Sequence, residues 1–191
     1  HYPLRRQRQM CIRDSPGGHS LILNIPRMNC SIHKYWDFVI EPFEKIPDRP
    51  EMEWGERIRE LLSKAVQRRL MSDVPLGIFL SGGIDSSSVA AFAARLAGAE
   101  KVKSFSIGFE EDSFDESSYS KRVASLLGTD HYLEFLSLEK AKSLLPEIAQ
   151  KLDEPMGDSS LLPTFLLCKE TRKHVTVALG GDGGDELFGG Y

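Results

Sequence analysis

The chain has little of what holds a small secreted scaffold together. Its three cysteines, Cys11, Cys30 and Cys168, are odd in number and far apart, which argues against a disulfide framework and against a zinc site. A reducing, cytoplasmic setting is the expectation. No apolar run approaches the roughly 20 residues of a membrane span, and no stretch has the make-up of a signal peptide. Positive charge is not in excess either. The balance of 24 basic to 28 acidic side chains leaves a net charge of −4, so the basic face of a nucleic-acid binder is missing. Two familiar nucleotide loops are also absent. No GxxxxGK[ST] occurs, and no G-x-G-x-x-G follows a strand, so a dinucleotide reading lacks its fingerprint. Internal repeats and low-complexity tracts are lacking as well.

What is there suits one globular domain with a real core: 191 residues, 41% hydrophobic and 27% charged. Residues 1–15 stand apart, with four Arg, one Asp and no periodicity, and read as a non-native or artefactual tail. Strand-like runs follow at Ser20–Ile25, Cys30–Ile32 and Tyr35–Trp36–Asp37, punctuated by Gly17, Gly18 and Pro26. A proline-marked linker runs from Pro42 to Pro50.

Helical periodicity starts near Glu51, with Trp54, Ile58, Leu61, Leu62, Ala65 and Leu70 on one face. Asp73 and Pro75 end it. Apolar strands then alternate with helices: strand 76–80, helix 87–96, strand 102–109, helix 117–127, strand 131–135, helix 138–152, helix 164–173 and strand 175–179. Short, continuously apolar strands of this kind are buried in parallel sheets. The expected fold is α/β, a parallel doubly wound sheet with flanking helices.

Two loops carry the chemistry. The first, Ser81-Gly-Gly-Ile-Asp-Ser-Ser87, joins an apolar strand to a helix. The first N–H groups of a helix have no partners within it, and the helix dipole adds partial positive charge. Such a junction takes anions, phosphate above all. Gly82 and Gly83 allow close backbone approach, and the hydroxyls of Ser81, Ser86 and Ser87 add donors. Asp85 suits a magnesium ion bridging to phosphate oxygens rather than the anion itself. The second loop, Gly180-Gly-Asp-Gly-Gly-Asp-Glu186, follows the last strand. Its glycines can wrap a ligand, and its carboxylates can serve metal or acid–base chemistry. Ligands of doubly wound sheets sit at the carboxyl ends of strands, where the strand order reverses. If the strands before the two loops are neighbours, Asp85 and Asp185 can share one magnesium ion.

Leu80-Ser-Gly-Gly-Ile-Asp-Ser-Ser87 resembles the pyrophosphate loop of the N-type ATP pyrophosphatases, whose fold is Rossmann-like, of the adenine nucleotide alpha hydrolase type. Leu179-Gly-Gly-Asp-Gly-Gly-Asp-Glu-Leu-Phe-Gly-Gly-Tyr191 resembles the second signature of the asparagine synthetases, where Ser-Gly-Glu-Gly-Ser-Asp-Glu is common. The chain departs at Gly180, Asp182 and Gly184.

The resemblance implies ATP as substrate with Mg2+ and a set of site residues. Ser81, Gly82, Gly83, Ser86 and Ser87 would grip pyrophosphate, and Asp85 would belong to both the ATP and metal sites. Leu80, Ile107 and Gly108 would hold adenosine, and Gly180 and Gly181 would line the nucleotide. Asp182 would assist formation of a β-aspartyl-adenylate, and Asp185 would bind magnesium. The acceptor would be aspartate, with ammonia supplied from glutamine by a preceding glutaminase domain. Residues 16–50 would be the end of that domain and a linker. Residues 51–191 would be the ATP-binding domain, truncated before a helical lobe that supplies a phosphate-facing lysine. A fragment without that cation is expected to bind ATP weakly and to turn over poorly. A homodimer is compatible with the resemblance.

Asp115, Glu116 and Ser117 read as capping residues, and His131 as structural. Asp153–Pro155 and Asp158–Ser160 lie between a role beside the substrate and helix capping. Three rival functions stand. One is a related amidotransferase or β-lactam-type synthetase acting on another carboxylate. The second, a tRNA-thiolating enzyme, would call for a basic RNA face and paired cysteines. The third is a non-catalytic nucleotide-binding module.

Overall fold

A computed structural model of the chain describes residues 16–37, 39, 48–111, 113–154 and 156–190. The tail over 1–15 and the body of the proline-marked linker lie outside these. The chain divides into two compact units, one ending at Asp48 and the other beginning at Arg49.

The first unit contains an antiparallel hairpin of β1 (His19–Asn24) and β2 (Asn29–Lys34), with His19 opposite Lys34 and Asn24 opposite Asn29. Its turn needs a left-handed residue, Met28 at φ 48°. The Asn24 side-chain oxygen accepts from the Arg27 N–H at 3.0 Å. The expected third run does not become a strand. The N–H groups of Tyr35 and Trp36 both donate to the Gly18 carbonyl, at 2.9 and 3.1 Å, so the chain turns across the hairpin's base.

The second unit opens with α1 (Pro50–Leu70), which has Pro at its first position and acids in its first turn, as the dipole favours. Only Val66 is buried, with Leu62 and Leu70 packed on the core. Trp54, Ile58 and Leu61 are exposed, so the apolar stripe is wider than the face that the core uses. β3 (Leu76–Phe79), α2 (Ile84–Ala97), β4 (Lys103–Phe109), α3 (Ser117–Leu127), β5 (Asp130–Leu136), α4 (Leu138–Lys151), α5 (Leu161–Thr171), β6 (Val177–Leu179) and the short α6 (Gly184–Phe188) follow.

The four strands β3 to β6 form a parallel sheet in the order β5-β4-β3-β6. Its two hydrophobic clusters use different helices. Ile78, Leu80 and Val102 pack with residues of α1, α2 and α3, whereas Leu136, Ile107 and Phe109 pack with residues of α4 and α5. The fold is therefore doubly wound. The strand order reverses between β3 and β6, which pair through Leu76–Val177, Gly77–Ala178 and Ile78–Leu179.

Candidate functional site

β3 and β6 are neighbours, so the two glycine-rich loops leave the sheet side by side at the reversal point. Helix α2 starts at Ile84, three residues earlier than the serines suggest. Gly83, in extended conformation at φ −69° and ψ 165°, is the cap residue, and the Ser87 N–H donates to its carbonyl at 3.0 Å. Asp85, Ser86 and Ser87 thus belong to the first turn of the helix rather than to the loop.

The first loop is held by its own hydroxyls. The Ser86 hydroxyl donates to the Gly83 carbonyl at 3.3 Å and accepts from the Ser81 N–H at 3.2 Å. The Ser81 hydroxyl lies 2.8 Å from that of Ser86 and accepts from the Gly83 N–H at 3.3 Å. These two serines shape the loop, and the start of α2 presents its unpartnered N–H groups beyond it. Gly82, at φ +91°, seats the loop on α3: a Cβ there would lie 2.7 Å from the Ser120 nitrogen.

The second loop packs on the first by backbone. A Cβ on Gly181 would lie 2.7 Å from the Ser86 nitrogen and 3.0 Å from the Asp85 carbonyl carbon. A Cβ on Gly184 would lie 2.5 Å from the Asp85 carboxylate. The Asp182 carboxylate fills the space beside Gly180 that a side chain there would take, and the Asp185 carboxylate lies against Gly190.

A cleft of about 640 Å³ opens between the loops, the end of β4 and the start of α3. That is the size of a small-molecule site. Of the residues singled out from the sequence, Leu80, Ser81, Gly83, Asp85, Ser86 and Ile107 line it from the first side, and Gly180, Gly181, Asp182 and Asp185 from the second. Gly82, Ser87 and Gly108 stand behind this lining. Gly82 faces α3, and the Ser87 hydroxyl is buried without a hydrogen-bond partner. A Cβ on Gly108 would lie 2.7 Å from Phe135 and 2.9 Å from an Asp115 oxygen.

The sequence reading missed Ser106, Phe114 and Ser120 in the cleft wall. A signal exists for two of them. Ser104 and Ser106 alternate with Phe105 and Ile107 in a buried strand, and polar groups in such a strand require partners. Phe114, 65% exposed at the rim, leaves no mark in local pattern.

The capping expectation for Asp115 holds. One of its oxygens accepts from the N–H groups of Phe109 and Ser117, both at 3.1 Å, and the other from the Ser117 hydroxyl at 2.8 Å. The Ser117 hydroxyl is the main cause that holds the Asp115 carboxyl below the usual carboxylate range. Asp158 likewise accepts from the Ser160 N–H at 2.8 Å, one residue before α5, and its carboxyl is lowered by that bond.

Residues 57–191 match the family model for asparagine synthase. Over 136 residues the chain is 41% identical to asparagine synthetase (glutamine-hydrolyzing) 1 of Bacillus subtilis, covering 71% of this chain and 21% of the relative. Asparagine synthetase (glutamine-hydrolyzing) 3 of the same organism is 32% identical over 196 residues, with 94% of this chain and 30% of the relative covered. Amidase chry2 of Gibberella zeae is 34% identical over 188 residues, covering 91% of this chain and 28% of that protein. The chain spans less than a third of the length of each of these curated relatives.

Proposed function

The chain belongs to the asparagine synthase family, and on that premise we propose that it is the nucleotide-binding part of an ATP-dependent ligase that amidates aspartate. The observation that supports this most is the seating of the Gly180–Glu186 loop on the start of α2, which makes one cleft from two distant motifs.

In the proposed reaction an oxygen of the aspartate side-chain carboxylate attacks the α-phosphorus of ATP. The bond to the bridging oxygen breaks, pyrophosphate leaves, and a β-aspartyl-adenylate forms. Ammonia, released from glutamine elsewhere in the intact protein, then attacks the acyl carbon. It loses a proton, AMP leaves, and asparagine results. The α2 N–H groups and the loop of Ser81, Gly82 and Gly83 receive the departing pyrophosphate, where fixed donors are worth most. Ser86 and Ser87 support them from the first helical turn. Leu80, Ile107 and Gly108 form the adenosine side, and Gly180 and Gly181 let the nucleotide pass close to backbone. Asp182 assists the adenylation step from the second loop.

Asp85 and Asp185 would hold Mg2+. No group of three or more metal-binding side chains occurs among the described residues. Two cleft carboxylates fit an ion that takes one or two from protein and completes its shell with phosphate oxygens and water. Bound there, it would neutralise charge on the phosphates. A cytoplasmic enzyme fits this chemistry.

ATP–pyrophosphate exchange by the intact protein tests the reading, with aspartate set against a panel of other carboxylates. Aspartate-dependent exchange, reduced at least ~100-fold by Asp85→Ala, is the expected result. The amidase relative and the departures at Gly180, Asp182 and Gly184 favour one second reading, the same adenylation applied to another acid. Exchange with that acid alone would select it. Absence of exchange with every acid would leave a nucleotide-binding module.

A further inference from the structure

The mechanism leaves one buried polar cluster without a task. Ser104 and Ser106 point from β4 toward His131 on β5, and Ser106 continues to Ser120 on α3. The Thr129 and Ser104 hydroxyl oxygens are 2.9 Å apart, and Ser104 is 2.9 Å from His131 Nδ1. His131 Nε2 is 3.2 Å from the Ser106 oxygen, which is 3.1 Å from that of Ser120. The Ser120 hydroxyl ends the series on the Ser117 carbonyl at 2.9 Å.

That last bond sets the direction of all the others. A carbonyl only accepts, so the one hydrogen of Ser120 is committed to Ser117. Ser106 must therefore donate to Ser120. With its own hydrogen used, Ser106 can only accept from His131, so Nε2 carries the imidazole proton. Burial, and then the charge of Lys121, hold the His131 pKa below its ordinary value, so the ring is neutral and Nδ1 is bare. Nδ1 accepts from Ser104, and Ser104 accepts from Thr129. Each hydroxyl in the series has one assigned role.

The far end of the series is the cleft. Ser106 and Ser120 both line it, and Gly82 leans on the Ser120 backbone. We propose that His131 is a positioning residue of the nucleotide cleft: as the Nε2–H tautomer in a one-way chain from Thr129 through Ser104, Ser106 and Ser120, it fixes the wall on which the first loop rests. The effect on nucleotide rests on the function proposed above; the chain of hydrogen bonds does not.

Two substitutions separate the ends of the ring. His131→Gln keeps an N–H directed toward Ser106, while His131→Asn keeps an acceptor near Ser104 and cannot reach Ser106. Both remove the ring, and unfolding curves measure their common cost. In the intact protein, His131→Asn is expected to weaken ATP binding about 2- to 10-fold, the worth of one net hydrogen bond. His131→Gln should stay close to wild type. Equal weakening by the two would make His131 merely structural and overturn the proposal.

Nitrogen NMR of 15N-histidine-labelled protein reads the tautomer directly. A His131 Nε2–H signal protected from water exchange, and losing that protection in Ser106→Ala, is expected. An Nδ1–H tautomer, or exchange equally fast in both proteins, would overturn the chain. If the wild type binds no ATP, the function reading fails and takes the positioning role with it, while the tautomer still decides the chain.

Discussion

The two loops of the cleft contain a matched pair of glycines in unlike surroundings. Gly82 and Gly183 have nearly the same φ, +91° and +90°. Gly82 is pressed against the Tyr119–Ser120 backbone, whereas a Cβ on Gly183 would meet nothing within 4 Å. The first loop is thus fixed on three sides, by its own serines, by α2 and by α3. The second is fixed on one side, where Gly181 touches Asp85 and Ser86. A rigid loop suits a group that must be gripped in one place. A loop held at one edge can close over a ligand and bring carboxylates with it.

Gly82→Ala should break the rigid half most severely. Left-handed strain and a backbone collision together are expected to cost about 3 kcal/mol in denaturant unfolding and to abolish nucleotide binding. Gly181→Ala comes next. Its Cβ would collide with the backbone of α2, so it should part the loops and lower exchange activity about 10-fold or more, with a smaller loss of stability, since the second loop carries little of the core. Gly183→Ala sharpens the comparison, because it adds strain alone. A loss of about 1 kcal/mol is expected, and the difference from Gly82→Ala isolates the packing against α3.

The smallest effect concerns Asp115, which ties the end of β4 to the start of α3 and has no counterpart under the second loop. Its carboxyl pKa is lowered in the folded state. The stabilisation is therefore complete above the ordinary carboxylate range and disappears as pH falls through the lowered value. Thermal unfolding of wild type and Asp115→Asn should differ slightly at about pH 7 and converge near about pH 3.

Much of this was legible in the sequence, for local reasons. Short apolar strands, glycine junctions and helical stripes are written in neighbouring residues, so each strand–loop–helix unit could be read, and so could both loops. The pairing of β3 with β6 could be stated only as a condition. It joins residues near 77 to residues near 178, and no short window encodes such a pairing. Phe114 in the cleft rim and the exposure of Trp54, Ile58 and Leu61 were hidden for the same reason. The early start of α2 was hidden by chemistry. Serine is the favoured cap, yet glycine holds that place here and frees the serines to fold the loop on itself.

The late position of β6 also bears on the order in which the protein assembles. Every other strand of the sheet pairs with a partner that is close in the chain, but β6 closes a gap of about a hundred residues to reach β3. Contacts of that span are slow to form, because loop-closure entropy must be overcome first. On the ribosome, β3, β4 and β5 can dock while β6 is still unmade. The first loop would then stand ready, facing open water, until Val177–Leu179 arrive and bring the acidic half with them.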